Sequence, residues 1–137
     1  MSKALHAAVN FSEKLQHIFI TTANRQGLAH VAAADGIRLG DEGFFHLTGW
    51  YCQTTAQNLE ENRLISVVLW EPDIDAGYQV LGEVEEIQEK ANLNGFMPET
   101  EEVDSLPHVE RELLVRVREV LLFCHAPHTD RVIDDVF

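Results

Sequence analysis

Thr48, Gln53, Thr54, Thr55 and Asn58 all carry hydrogen-bonding side chains without formal charge, and they fall within one short stretch beside Gly49. The stretch opens with apolar Phe45-His46-Leu47 and closes on Leu59. It reads as a strand that ends in Thr48-Gly49 and turns directly into a helix. A junction of that kind aims several backbone N–H groups and hydroxyls at one point, an arrangement suited to holding a phosphate. A local role is equally available. Thr54-Thr55-Ala56-Gln57 has the spacing of a capping box, in which hydroxyl and amide satisfy the first turn of the helix. Capping alone and capping with phosphate contact both remain open from the residues.

Other chemistry-bearing residues point less sharply. Cys52 precedes the helix start, where a thiolate is favoured, although an inert buried thiol suits the position too. Cys124-His125-Ala126-Pro127-His128 gathers metal-ligand types, but zinc would need a second ligand pair, and no further Cys-x-x-Cys or His-x-x-x-His occurs. No metal site is assigned. His6, His17, His46 and His108 are scattered, without the order of a nucleophilic triad. Glu99, Glu101, Glu102 and Asp104 form an acidic cluster that lacks a calcium-loop pattern and reads as a solvated loop. No side chain stands out as a general acid or base, so no catalytic residue is assigned.

The elements that must position the junction follow from periodicity. Residues 2–16 place Leu5, Ala8, Val9, Ser12 and Leu15 at helical spacing, with Ser2 as N-cap. His17 to Ala23 is β-branched and apolar, Asn24-Arg25-Gln26-Gly27 supplies turn chemistry, and Leu28 to Ala34 returns as a hairpin partner. Ile37-Arg38-Leu39 continues extended to a tight turn at Gly40–Gly43, and Phe44 to Thr48 is the next strand. The helix is expected from about Gln53 to Asn62. Leu64 to Trp70 is a strand stopped by Pro72, and Gly77 to Ile87 alternates in its second half, so one side meets water. Ala91 to Pro107 reads as a solvated excursion, and Leu113 to Phe123 as the last strand.

The expected fold is mainly β (α+β), one domain over residues 1–137: a six-stranded antiparallel barrel with an N-terminal helix (about 2–16) and one inserted helix. The barrel would span about 17–125 and the C-terminal tail 126–137, where Arg131-Val132-Ile133 and Val136-Phe137 offer apolar surface for docking.

Composition narrows the partners. With 23 acidic against 10 basic residues the formal charge is −13, so no basic footprint for nucleic acid or an anionic membrane surface is present. No apolar run approaches the length of a membrane span, and residues 1–4 lack a secretory h-region, which makes a cytoplasmic protein with reduced thiols the expectation.

The order of these segments resembles the pyridoxamine 5′-phosphate oxidase-like, FMN-binding split-barrel family. The resemblance covers about residues 15–90, carried by Gly27, Ala29-His30-Val31, Phe45–Gly49, Asn58-Leu59-Glu60-Glu61-Asn62, Ser66-Val67-Val68 and Gly82-Glu83-Val84-Glu85. It implies a homodimeric split barrel with non-covalent FMN in grooves between subunits, serving an oxidoreductase that passes electrons or hydride to a small-molecule substrate or acceptor. Carried over by position, the cofactor wall is His30, Val31 and Ala32, then Thr48, Gly49 and Trp50, then Gln53, Thr54 and Thr55. Trp50 and Tyr51 would stack on the flavin or pack between subunits. One departure stands out: the family places Arg-Lys, or one Lys, where this chain has Thr54 and Thr55. Arg38 or Arg25 could compensate from a neighbouring loop. The resemblance also admits a binding module that has exchanged FMN for haem, with His30, His46 or His125 as axial ligand, and a cofactor-free interaction dimer.

Overall fold

The computed structural model describes residues 2–51, 53–92 and 109–133. Nine elements follow in order: α1 (Ser2–Ser12), β1 (Ile18–Ala23), β2 (Ala29–Ala34), β3 (Gly36–Leu39), β4 (Phe44–Tyr51), α2 (Gln53–Glu61), β5 (Leu64–Glu71), β6 (Ala76–Asn92) and β7 (Val109–Leu122). The strands form one antiparallel sheet in the order β2-β1-β5-β6-β7-β4-β3. This is the split-barrel architecture.

The two edge strands, β2 and β3, are consecutive in the chain and separated only by Asp35. A single residue cannot span an open sheet, so the sheet must curl until its edges approach. The Asp35 N–H donates to the Thr48 carbonyl at 2.9 Å, and β2 packs against β4 across the seam. Asp35 also explains why the strand count is seven rather than six. The extended run from Leu28 to Leu39 changes partner at this residue, from β1 on one side to β4 on the other.

Alternate residues of every strand point inward. Ile18, Ile20, Phe45, Leu47, Leu59, Ile65, Val67, Leu69, Val80, Leu113 and Val115 fill the interior, and Ala4, Leu5, Ala8 and Val9 of α1 join them. Helix α1 stops at Ser12, short of Gln16, because residues 13–15 close into i→i−3 turns and the Ser12 hydroxyl donates to the Val9 carbonyl at 2.6 Å. Strand β4 runs past Gly49 to Tyr51, because β7 pairs with it residue by residue as far as Val109. The strand therefore does not end in Thr-Gly. Strands β6 and β7 likewise extend each other beyond the alternating cores visible in sequence.

Gly77 and Gly82 are required by close approach. A Cβ on Gly77 would sit 1.9 Å from the Leu69 carbonyl oxygen, and one on Gly82 would sit 2.6 Å from Val115 Cγ1. Both lie where β6 crosses a neighbouring strand. The tail returns antiparallel to β7: Leu122 N–H donates to the Arg131 carbonyl and Ile133 N–H to the Val120 carbonyl, and Ile133 packs on the core. The acidic cluster at 99–104, Cys52 and Val136-Phe137 lie outside the described residues. No helix among the described residues is long and apolar enough to cross a membrane.

Candidate functional site

The corner between β4 and α2 is built by pairing on one side and helix burial on the other. Thr48 stands opposite Gly36 and Glu112, Gly49 opposite Arg111, and Trp50 opposite Glu110. Helix α2 begins at Gln53, so Thr54 and Thr55 lie inside its first turn and the expected Thr54 cap is not formed. Its buried face is Thr55, Asn58 and Leu59, the i, i+3, i+4 stripe of a helix lying on the barrel end. Asn58 Nδ2 donates to Thr22 Oγ1 at 3.0 Å, which fixes the helix over β1.

The two threonines are therefore not equivalent. Thr55 is 1% exposed, and its Oγ1 is buried without a hydrogen-bond partner, while Thr54 and Gln53 are half-buried at the outer side of the turn. A buried hydroxyl without a partner costs about 1–3 kcal/mol of desolvation. That makes Thr55 Oγ1 the polar atom of the corner that most needs a ligand.

Residues 30–32 divide between the two faces of β2. His30 pairs with Thr22 and Ala32 with Ile20, residues whose side chains face the interior, whereas Val31 pairs with Thr21 and is 59% exposed. The seam between β2 and β4 brings this strand alongside the one carrying Thr48 and Gly49.

Both loop cations named from sequence are tied to a glutamate, Arg25 through its backbone and Arg38 through its guanidinium. The Arg25 backbone N–H donates to Glu61 Oε1 at 2.7 Å, which places Arg25 at the opposite end of α2. Arg38 grips Glu112 with both terminal nitrogens, at 2.9 and 3.4 Å. Glu112 also lies 3.0 Å from His46 Nδ1 and 4.0 Å from Lys90 Nζ. The His46 contact is close but misaligned for a hydrogen bond. The Arg38 hydrogen bond, opposed by partial burial and aided by the nearby charges, holds the Glu112 carboxyl below the usual range.

The cation that sequence reasoning missed is Arg111. It stands opposite Gly49 in the same alternating series as Leu113 and Val115, and its side chain is only 11% exposed. Nη2 reaches exposed Glu89 at 3.6 Å, while Nη1 is buried with no hydrogen-bond partner. The alternation Arg111, Leu113, Val115, Val117 was the available signal, since it assigns the arginine to the inward series.

A groove of about 670 Å³ lies elsewhere, on β1, β5, β6 and β7, where Thr21, Leu64, Ser66, Leu81, Arg118 and Glu119 line it. None of the nine residues carried over from the resemblance lines it. A smaller cavity of about 230 Å³ does include Thr48, with Asp35, Gly36, Arg38 and His46.

The Cys124–His128 turn is a fastening. Asp75 accepts the His125 N–H at 2.6 Å, the Ala126 N–H at 3.0 Å and the Trp70 indole N–H at 3.1 Å. Those donors hold its carboxyl below the usual range, the two backbone bonds first. His128 bonds the Cys124 carbonyl and Asp130, which together raise its pKa, and Cys124 is a free thiol directed at the Pro127 carbonyl. No cluster of metal-ligand side chains occurs among the described residues.

No protein-family model and no curated protein matches the sequence. Solved structures do match in fold. A Clostridium acetobutylicum protein of the pyridoxinephosphate oxidase family, related to general stress protein 26, superposes with a TM-score of 0.65 at 15% identity, covering 100% of this chain and 99% of that one. An FMN-binding protein from Syntrophomonas wolfei gives 0.66 at 15% identity over 88% and 86% of the two chains. HutZ, the haem storage protein of Vibrio cholerae, gives 0.54 at 17% identity over 87% and 94%. The resemblance read from sequence order is thus matched by the fold.

Proposed function

We propose that this protein is a homodimeric flavoprotein that binds FMN non-covalently, with the phosphate at the β4–α2 corner, and acts as an oxidoreductase on a small-molecule substrate or electron acceptor. The observation that carries the reading is Thr55 Oγ1, a buried hydroxyl without a partner on the first turn of a helix whose free N–H groups favour an anion. The residues fit the group. Thr54 and Gln53 add donors at the rim of the same turn, and Gly49 leaves the facing strand without a side chain there. Bound FMN would supply one- and two-electron redox chemistry, while the chain binds, orients and shields it.

The second subunit is supported by the outer face of β2-β1-β5. Phe19, Val31 and Leu64 are exposed there beside Thr21, Ser66 and Val68, and none of these residues is charged. A sheet apolar on both faces calls for cover on both. A second copy packed on this face would also close the groove beside Leu64 and Leu81.

The test is the visible spectrum of protein purified without added cofactor, followed by titration with FMN and with haem. Flavin bands, or saturable FMN binding by the apoprotein, are the expected result. A Soret band with no FMN uptake would favour the haem reading, for which His30, His46 and His125 sit on β2, on β4 and in the turn after β7. A colourless protein that takes up neither would leave the cofactor-free dimer.

A further inference from the structure

We propose that Arg111 supplies the positive charge for the phosphate at the β4–α2 corner, replacing the cation that positions 54 and 55 lack; the inference rests on the flavin reading above. The argument begins with backbone register. Arg111 pairs with Gly49, and β4 continues only to Tyr51 before α2 starts at Gln53. The arginine thus enters from the far strand at the end of the sheet where the helix begins, in the series that continues into buried Leu113 and Val115.

Two polar atoms at this end of the barrel are buried without a hydrogen-bond partner: Thr55 Oγ1 and Arg111 Nη1. Each is a donor. Glu89, 69% exposed, reaches only Nη2, at 3.6 Å, and leaves Nη1 without a partner. A buried, poorly paired cation is costly, and a helix N-terminus is an unfavourable neighbour for one, since its partial charge is also positive. Two positive features and two unused donors, one on α2 and one on the strand paired with the end of β4, would be complementary to a single anion between them. A guanidinium offers parallel N–H groups matched to phosphate oxygens, which a lysine cannot reproduce.

Gly49 has a part in this. It leaves the position directly across from Arg111 without a side chain. A threonine-lined helix start therefore keeps the charge of the site while moving its source from the helix to β7.

The experiment compares FMN with riboflavin, which has the same ring and ribityl chain but no phosphate, on the full chain and its Arg111 variants. Arg111→Gln is expected to weaken FMN about 10- to 100-fold and to leave riboflavin affinity unchanged. Arg111→Lys should fall between the two. Adding Thr54→Lys to the Arg111→Gln background should recover most of the lost FMN affinity, because the charge returns by the other route. If Arg111→Gln does not fold by circular dichroism, Arg111→Lys decides, and an FMN-selective loss supports the proposal. Equal effects on both flavins, or none on FMN, overturn it. Wild-type protein that binds both flavins equally well overturns the Arg111 assignment alone, whereas wild type that binds neither removes the flavin reading itself.

Discussion

The two halves of the sheet solve the problem of their outer faces in opposite ways. Strands β2, β1 and β5 carry no formal charge between Ile18 and Ala23, Ala29 and Ala34, or Leu64 and Trp70. Strands β6 and β7 alternate acid and base on the same sheet, and their charges meet across strands. Arg116 of β7 pairs with Glu85 of β6, and Glu112 of β7 pairs with Arg38 of β3. One half satisfies itself with ion pairs in water and the other presents apolar surface. In a chain of net charge −13 the uncharged face, with exposed Phe19 and Val31, is where the proposed second copy would pack.

The sharpest way to break the comparison is at the join between the halves, where β6 lies against β5. Gly77→Ala would drive a methyl group into the Leu69 carbonyl. Backbone must move, so the expected loss is about 3 kcal/mol or more, read as a fall in the urea midpoint. An unchanged midpoint would mean that β5 and β6 do not cross as closely as described.

Next in size is a charge on the uncharged half. Phe19→Glu should weaken self-association by about 100-fold, roughly 2.7 kcal/mol, in analytical ultracentrifugation, with the far-ultraviolet circular dichroism preserved. Arg116→Glu, on the charged half, should leave association unchanged. If both variants dissociate equally, the apolar face is not the subunit contact.

A smaller effect is expected at Glu112. Replacing it with Gln weakens the Arg38 grip, and since Arg38 is mostly exposed the cost is about 1 kcal/mol. The pH dependence has a definite sign. A carboxyl whose folded pKa is depressed contributes its stabilisation above the ordinary Glu value of about 4.3, and loses it as pH falls through the lower folded value. The acid limb of a stability–pH curve should therefore be shallower in Glu112→Gln.

The smallest effect is local. Asp75 is depressed by the His125 and Ala126 N–H groups and fastens the turn above about pH 3.9, releasing it on acidification. His128 is raised by the Cys124 carbonyl and Asp130, so its contribution is complete below about pH 6.5 and is lost as pH rises through the folded value. Hydrogen exchange at Leu122 and Ile133 should be slowest between those limits. Asp75→Ala should speed it without moving the global midpoint much.

Much of the barrel was legible because β-branched and apolar runs mark strands, as in His17–Ala23 and Leu64–Trp70, and because one-sided burial imprints a period of two, as in Leu113–Phe123. Strand ends were not. The extension of β4 through Gly49 and of β6 to Asn92 depends on the partner strand across the ladder, and no local pattern reports it. The same holds for α2, where the strand runs to Tyr51 and the helix from Gln53 takes Thr54 into its first turn, so no Thr54 cap forms. The Cys124–His128 turn shows the converse: its fastener, Asp75, lies far back in the chain and left no local trace.

By itself the sequence determined a small antiparallel barrel with two helices and a polar, uncharged helix start after Thr48-Gly49, because periodicity and side-chain chemistry are properties of neighbours along the chain. Only the tertiary structure decided that Thr55 is sealed while Thr54 stays at the rim, that Arg38 is paired with Glu112, and that Arg111 stands opposite Gly49. Those outcomes depend on strand register and on which helix face meets the barrel. Both are fixed by contacts between segments far apart in the chain.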